Sequence, residues 1–277
     1  MKARNVLDLE IPVNKTSLMQ MLQQLVARGN RFWVGGISDN KHKLEALVFK
    51  LSERYPGILR TGKQREYDSK RGLARMHLVV FPGDSGRFYW WLLGSEGKGG
   101  LADPSSEDAK AVRDAKGRDS HIEFEDYVLH YATKQTSFQV PDVGTGKVKS
   151  LKRNTSTWTW KMLPEVYKEE LETLLMAAQS HNWELIVRTL AALRNRPQFA
   201  GVRNQVLSLH HAAQRDWRMV ERAWRATHRH EIEKDAKAGT LLTKDEANAQ
   251  TAKMRRQPFF TSPSRPTPFT IRDLVIY

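Results

Sequence analysis

Two apolar runs, Arg75-Met-His-Leu-Val-Val-Phe81 and Phe88-Tyr-Trp-Trp-Leu-Leu93, establish the architecture of the first half of the chain. The loop between them, Pro82-Gly-Asp-Ser-Gly86, is short and carries glycine, as the loops of β-hairpins do. We therefore predict an antiparallel hairpin. The second run is apolar at consecutive positions, which indicates burial on both faces, so this strand is expected to lie inside the sheet rather than at its edge.

The residues before the hairpin predict the order strand, helix, strand, helix. Val6–Ile11 alternates apolar and acidic residues and predicts a strand, and the helix after it ends at Gly29. Arg31–Val34 predicts a second strand, and the helix after it ends at Pro56-Gly57. We expect residues 1–133 to form an α+β domain, in which a mainly antiparallel sheet carries two helices on one face.

Several segments around and after the hairpin lack a clear period. Thr61–Gly72 predicts a basic loop carrying Tyr67, and the polar composition of residues 94–120 predicts a long mobile loop. His121–Thr133 is compatible with a strand or with a short helix. Residues 134–162 read as extended and basic, and they are expected to connect the α+β domain to a C-terminal domain.

A helix is predicted to begin at Pro164, because proline is favoured in the first turn of a helix. Apolar residues at helical spacing predict a mainly α-helical domain over residues 163–256. Four prolines interleaved with phenylalanines then predict an extended C-terminal arm over residues 257–277.

One helix of the C-terminal domain carries two different faces. Its apolar seam consists of Ala213, Trp217, Val220 and Trp224. Nearly opposite lies an arginine row, defined as Arg215, Arg218, Arg222, Arg225 and Arg229. At about 1.5 Å per residue this row is roughly 20 Å long. Arginine suits bidentate contact with phosphate, so the row predicts a nucleic-acid-binding surface; a solvated helix face is the alternative.

A second basic group precedes an aromatic pair in the extended segment. The basic residues are Lys147, Lys149, Lys152 and Arg153. Trp158 and Trp160 lie beyond them at the spacing of one strand face. One interpretation is a base-stacking platform beside a phosphate-binding run. The other is ordinary packing of two tryptophans in a core.

Composition limits the classes of function. The 277 residues carry a formal net charge of +14, which is typical of proteins with polyanionic partners. No cysteine is present, which excludes disulfides and thiolate chemistry. We predict a cytoplasmic protein without a membrane partner, because no apolar run has the length of a membrane helix.

No motif predicts a cofactor or a metal. The glycine-rich stretch Gly94–Gly100 lacks the Ser or Thr that a phosphate-binding loop needs after Lys98, because Gly99 stands there. The histidines also lack the spacing that places two imidazoles and a carboxylate on one helix face. We therefore expect no bound cofactor and no metal site.

Two residues are candidates for catalysis without a metal. A metal-independent ribonuclease needs a general base and cations to hold the phosphate, and His77 and Tyr67 lie near basic residues. The segment Arg71–Leu78 resembles part of the RNA-recognition motif, but it departs from that motif at the base-stacking aromatic positions. Packing of His77 in the sheet is the alternative.

These patterns predict a non-enzymatic nucleic-acid-binding protein, with DNA preferred over RNA. The stretch Phe199–Val206 resembles segments of proteins encoded on bacterial plasmids and conjugative elements, and it carries no motif that transfers a residue. Two alternatives stay open. One is an RNA-binding or RNA-processing subunit of a ribonucleoprotein, and the other is a protein-assembly component that docks other subunits through its proline-rich arm.

Overall fold

The computed structural model of the protein describes residues 6–83, 86–106, 108–141, 148–227 and 269–270. The chain divides into two compact units. Within the described residues, the first unit comprises 6–124, 128–160 and 269–270, and the second comprises 125–127 and 161–227. Both antiparallel sheets and α-helices are present, so the fold is mixed α+β.

The elements of the first half are the strands β1 (Glu10–Ile11), β2 (Phe32–Ser38), β3 (Met76–Pro82), β4 (Phe88–Gly94), β5 (Arg113–Asp114) and β6 (Glu123–Phe124), with the helices α1 (Lys15–Ala27), α2 (Lys41–Arg54) and α3 (Gly62–Lys70). The elements of the second half are the strands β7 (Tyr127–Pro141), β8 (Val148–Met162) and β9 (Phe269–Thr270), with the helices α4 (Pro164–Gln179), α5 (Trp183–Arg194) and α6 (Ala200–Thr227). Short 3₁₀ turns span Val6–Asp8 and Pro56–Leu59.

The predicted hairpin forms one side of a four-stranded antiparallel sheet. The strand order is β3-β4-β2-β5, so β4 lies inside the sheet as its continuous apolar sequence predicts. Strand β2 extends beyond the predicted end at Val34 to Ser38, and thus includes Gly35 and Gly36. A Cβ at Gly35 would lie 2.8 Å from the carbonyl oxygen of Trp90, so the sheet requires glycine at that position.

One face of this sheet forms a core with α2. Leu44, Val48 and Leu51 of α2 pack in one cluster with Met76, Leu78, Val80 and Leu92 of the sheet. The opposite face carries an aromatic group, in which Phe124 contacts the rings of Phe81, Tyr89 and Trp91 edge to face.

Helix α1 does not share the face that α2 covers. None of its buried side chains belongs to the α2 cluster. It instead meets β8, where the Trp160 indole donates to the carbonyl of Met19 at 2.8 Å and the Gln23 amide donates to that of Trp158. The expectation of two helices on one face is therefore wrong for α1, which is hydrogen-bonded to the later strand β8 instead.

The segment expected to be a basic loop forms helix α3. A reciprocal capping box explains its start: the Thr61 hydroxyl accepts from the backbone of Gln64, whose side chain accepts from the backbone of Thr61. Tyr67 lies on this helix.

Residues 94–120, expected to be one long loop, contain turns and strand β5, which pairs with β2 at Phe32 and Trp33. Long-range contacts hold the segment. The Arg54 guanidinium binds both oxygens of Asp108, at 3.0 and 2.9 Å, and the Tyr55 hydroxyl donates to the same carboxylate at 2.7 Å. Leu101 and Ala115 are fully buried.

The expected extended connector consists of paired strands. Strands β6, β7 and β8 form a three-stranded sheet in that order, so residues 127–133 are strand rather than helix. The predicted extended conformation of residues 134–162 agrees with β7 and β8 over the described positions.

Helices α4, α5 and α6 pack against one another in the second unit. The buried residues are mostly aliphatic or small: Leu174, Ala177, Ile186, Leu190, Val206, Leu209 and Ala213. Arg196 connects residues 125–127 to α4, because its guanidinium forms salt bridges with Asp126 at 3.0 Å and with Glu170. The part of the predicted helical domain from residue 228 to residue 256 lies outside the described residues, as does the C-terminal arm apart from β9.

Candidate functional site

Helix α6 presents its predicted apolar seam to the other helices of its unit. Ala213 is fully buried, and the Trp217 ring lies 5.4 Å from that of Trp183 and 5.6 Å from that of His181. Trp224 also contacts the His181 ring, at 6.0 Å. The opposite face of α6 is therefore the one turned away from α4 and α5.

The arginine row lies on this helix. Arg215 and Arg222 are exposed and Arg218 is half-buried. The Arg215 side chain is 71% exposed and pairs at 3.3 Å with its own neighbour Asp216. Arg225 belongs to α6, and Arg229 lies outside the described residues. From Arg222 onward, every described side chain of α6 is exposed.

The second basic group and the tryptophan pair have different surroundings. Lys149, Lys152 and Arg153 lie on β8, whereas Lys147 is outside the described residues. Trp160 has no exposed surface, and Trp158 is only 6% exposed. The structure thus favours core packing for this pair over a base-stacking platform.

The first unit contains a polar cavity of about 520 Å³, which we call the basic cavity. Three cations line it: Arg31 before β2, Arg75 before β3 and Lys116 after β5. Hydroxyl side chains, the carboxylate of Glu96 and the ring of Tyr131 complete the wall. These residues come from distant parts of the sequence, and the pairing of β3, β4, β2 and β5 in one sheet brings several of them together.

The cations of the basic cavity differ in how they are held. Arg31 pairs with Glu96 at 2.9 Å and with Asp114 at 3.3 Å. Arg75 donates from Nη2 to the carbonyl of Arg28 at 2.6 Å, and its buried Nε has no hydrogen-bond partner among the described residues. The Lys116 ammonium lies 4.9 Å from the centre of the Tyr131 ring, a cation–π distance.

His77 and Tyr67, the two candidates for catalysis, have separate environments. Burial, together with the charges of Arg65, Arg75 and Arg28, lowers the pKa of the His77 imidazole to about 3. Such an imidazole is neutral at pH 7 and is a weak base. Tyr67 is 61% exposed on α3, where the Arg71 guanidinium lies 5.6 Å from the centre of its ring.

Comparison with known proteins adds no relative. The chain matches no protein-family model, and neither the curated proteins nor the solved structures match it. The described residues contain no group of three or more metal-ligating side chains. None of the helices described here combines the length and apolarity that crossing a bilayer requires.

The basic cavity was not predicted from the sequence. Arg75 and His77 share a strand face by alternation, which is the one local signal of a charged site next to the hairpin. Arg31, Lys116 and Tyr131 carry no common motif. They become neighbours only through the sheet, so no local pattern could have grouped them.

Proposed function

We propose that the protein binds nucleic acid without catalysing a reaction, through the arginine row of α6, and that it prefers DNA. The observation that carries this proposal is the exposed position of Arg215 and Arg222 on the face of α6 opposite its packed seam. The net charge of +14 supports the same conclusion, because release of counterions from phosphates drives the binding of basic proteins to nucleic acid.

The preference for DNA rests on the dimensions of a helix. An α-helix with side chains is about 10–12 Å wide and fits the major groove of B-DNA, which is about 12 Å wide. The major groove of A-form RNA is too narrow for side chains to read. Helix α6 spans Ala200–Thr227 and is about 42 Å long, so it can follow phosphates over several base pairs.

The test is fluorescence anisotropy with duplex DNA, single-stranded DNA and hairpin RNA across a salt series. The test variant replaces Arg215 and Arg222 with Gln. We expect its affinity for duplex DNA to fall at least about tenfold, and the slope of log affinity against log salt to decrease by roughly 2.

A matched control removes the same charge elsewhere in the unit. Lys168 and Arg188 are exposed on α4 and α5, and their replacement with Gln should leave the salt slope nearly unchanged. Equal losses in the two variants would show that net charge, rather than the arginine row, accounts for binding. Preference for hairpin RNA would overturn the choice of DNA.

A further inference from the structure

The basic cavity combines positive charge with donors that are not fully used. Among the described residues, Arg75 and Lys116 line it without a carboxylate partner, whereas Arg31 is shared between Glu96 and Asp114. Burial and, after it, the positive charges of Arg65, Arg75 and Arg28 lower the pKa of the imidazole of His77, which lies two residues from Arg75. A site of this kind favours an anion with several oxygen acceptors.

The dimensions of the cavity indicate a ligand larger than a single inorganic ion. A volume of about 520 Å³ lies in the range of small-molecule and cofactor sites. The hydroxyl-bearing residues Ser69, Ser156 and Thr157 are among those that line it. Tyr131, which is 36% exposed, adds an aromatic ring to the lining, and this ring lies 5.0 Å from that of Trp158.

Cations, hydroxyls and an aromatic ring are the groups that recognise a phosphate, a sugar and a base, respectively. We propose that the basic cavity binds the phosphate of a nucleotide, with Arg75 and Lys116 as its cationic contacts and Tyr131 beside the base. This site belongs to the first unit, and it does not depend on binding of nucleic acid by the arginine row.

Glu96 gives the proposal a directional test. Its carboxylate lines the cavity and pairs with Arg31 at 2.9 Å. It therefore repels a phosphate and neutralises one of the three cations. Glu96→Gln should therefore tighten the binding of AMP by about two- to fivefold. A misfolded variant would lose affinity, and a gain thus reports on charge at the site.

The experiment is calorimetric titration of the full chain with AMP, adenosine and inorganic phosphate. Lys116→Gln should weaken the binding of AMP by about two- to fivefold. Arg75→Gln should weaken it by about tenfold or more, because Arg75 is partly buried. Lys110→Gln and Glu53→Gln change the same charges at exposed positions outside the cavity and should leave AMP affinity unchanged. Circular dichroism of each variant shows whether it has folded.

Other outcomes would overturn the proposal. If adenosine bound as tightly as AMP, the cavity would not recognise the phosphate. The same conclusion would follow if neither Glu96→Gln nor Lys116→Gln changed the affinity for AMP. Competition by a trinucleotide with a 5′-phosphate, compared with its 5′-hydroxyl form, distinguishes a strand end from a free nucleotide. Replacement of Arg215 and Arg222 with Gln should leave AMP affinity intact, which separates this site from the arginine row.

Discussion

Gly97 shows at the scale of one residue why the glycine-rich stretch after β4 is glycine-rich. Its backbone has a φ of +131°, and a Cβ there would lie 2.6 Å from the nitrogen of Ala74. The neighbouring Lys98 exchanges backbone hydrogen bonds with Gly72 and Ala74. Close backbone approach therefore explains the glycine, without any phosphate.

We expect Gly97→Ala to lower the free energy of unfolding by more than about 1 kcal/mol, because both the conformation and the space exclude a side chain. Gly62→Ala is the matched control. That glycine opens α3, and apart from its chain neighbours and the backbone of its own helix no atom lies within 4 Å of a Cβ, so alanine there should stabilise the protein by up to about 1 kcal/mol. Urea unfolding measures both, and equal effects would contradict the explanation.

His77 predicts a dependence of stability on pH. Its folded pKa of about 3 lies below the ordinary value of 6.5, so between these values the unfolded chain binds a proton that the folded chain does not. This contribution to stability is complete above pH 6.5 and is lost as the pH falls toward 3. The expected slope is at most about 1.4 kcal/mol per pH unit.

Replacement of His77 with Gln should remove this contribution from urea unfolding measured between about pH 4 and 7. His42→Gln serves as the control, because His42 is exposed on α2. If the two variants showed the same pH dependence as the parent chain, His77 would not be the titrating group.

At the scale of elements, the carboxylate of Asp108 connects α2 to the long segment after β4. Burial raises the pKa of this carboxyl, but hydrogen bonds from Tyr55 and Arg54 lower it, so that the pKa lies below its ordinary value. Tyr55→Phe removes a hydroxyl that donates at 2.7 Å, and we expect it to lower the free energy of unfolding by about 1–2 kcal/mol. Tyr67→Phe, at an exposed hydroxyl, should change it by less than about 0.5 kcal/mol. Thermal unfolding of the two variants checks the difference.

Elements with a strong apolar period were predictable, and those held by specific polar contacts were not. Helix α2 and the β3–β4 hairpin follow directly from their patterns. Helix α3 has no buried residue and begins at a capping box, so its sequence carries no apolar period. Residues 94–120 were expected to be a loop because their order depends on Arg54 and Tyr55, which lie far away in sequence.

At the scale of the whole molecule, the order of apolar patterns predicted a mixed α+β chain and the composition predicted its net positive charge, but neither could place the basic cavity. The arginine row could be predicted from the sequence of one helix, because the spacing of its members alone places them on one face. Arg31, Arg75 and Lys116 lie in three separate segments, and their proximity is a product of strand pairing. Sites of the first kind can be predicted from a sequence, whereas sites of the second kind require the fold.

The pairing of β1 with β9 affects how the molecule is made. Glu10 and Ile11 pair with Thr270 and Phe269, so β1 leaves the ribosome long before its partner strand exists. At roughly 5–20 residues per second, about 260 intervening residues take on the order of 10–50 s to synthesise. During that interval the backbone groups of Glu10 and Ile11 that pair with β9 lack this partner, and unpaired strand groups can pair with foreign strands. A chain stalled before β9 would therefore lack this small sheet.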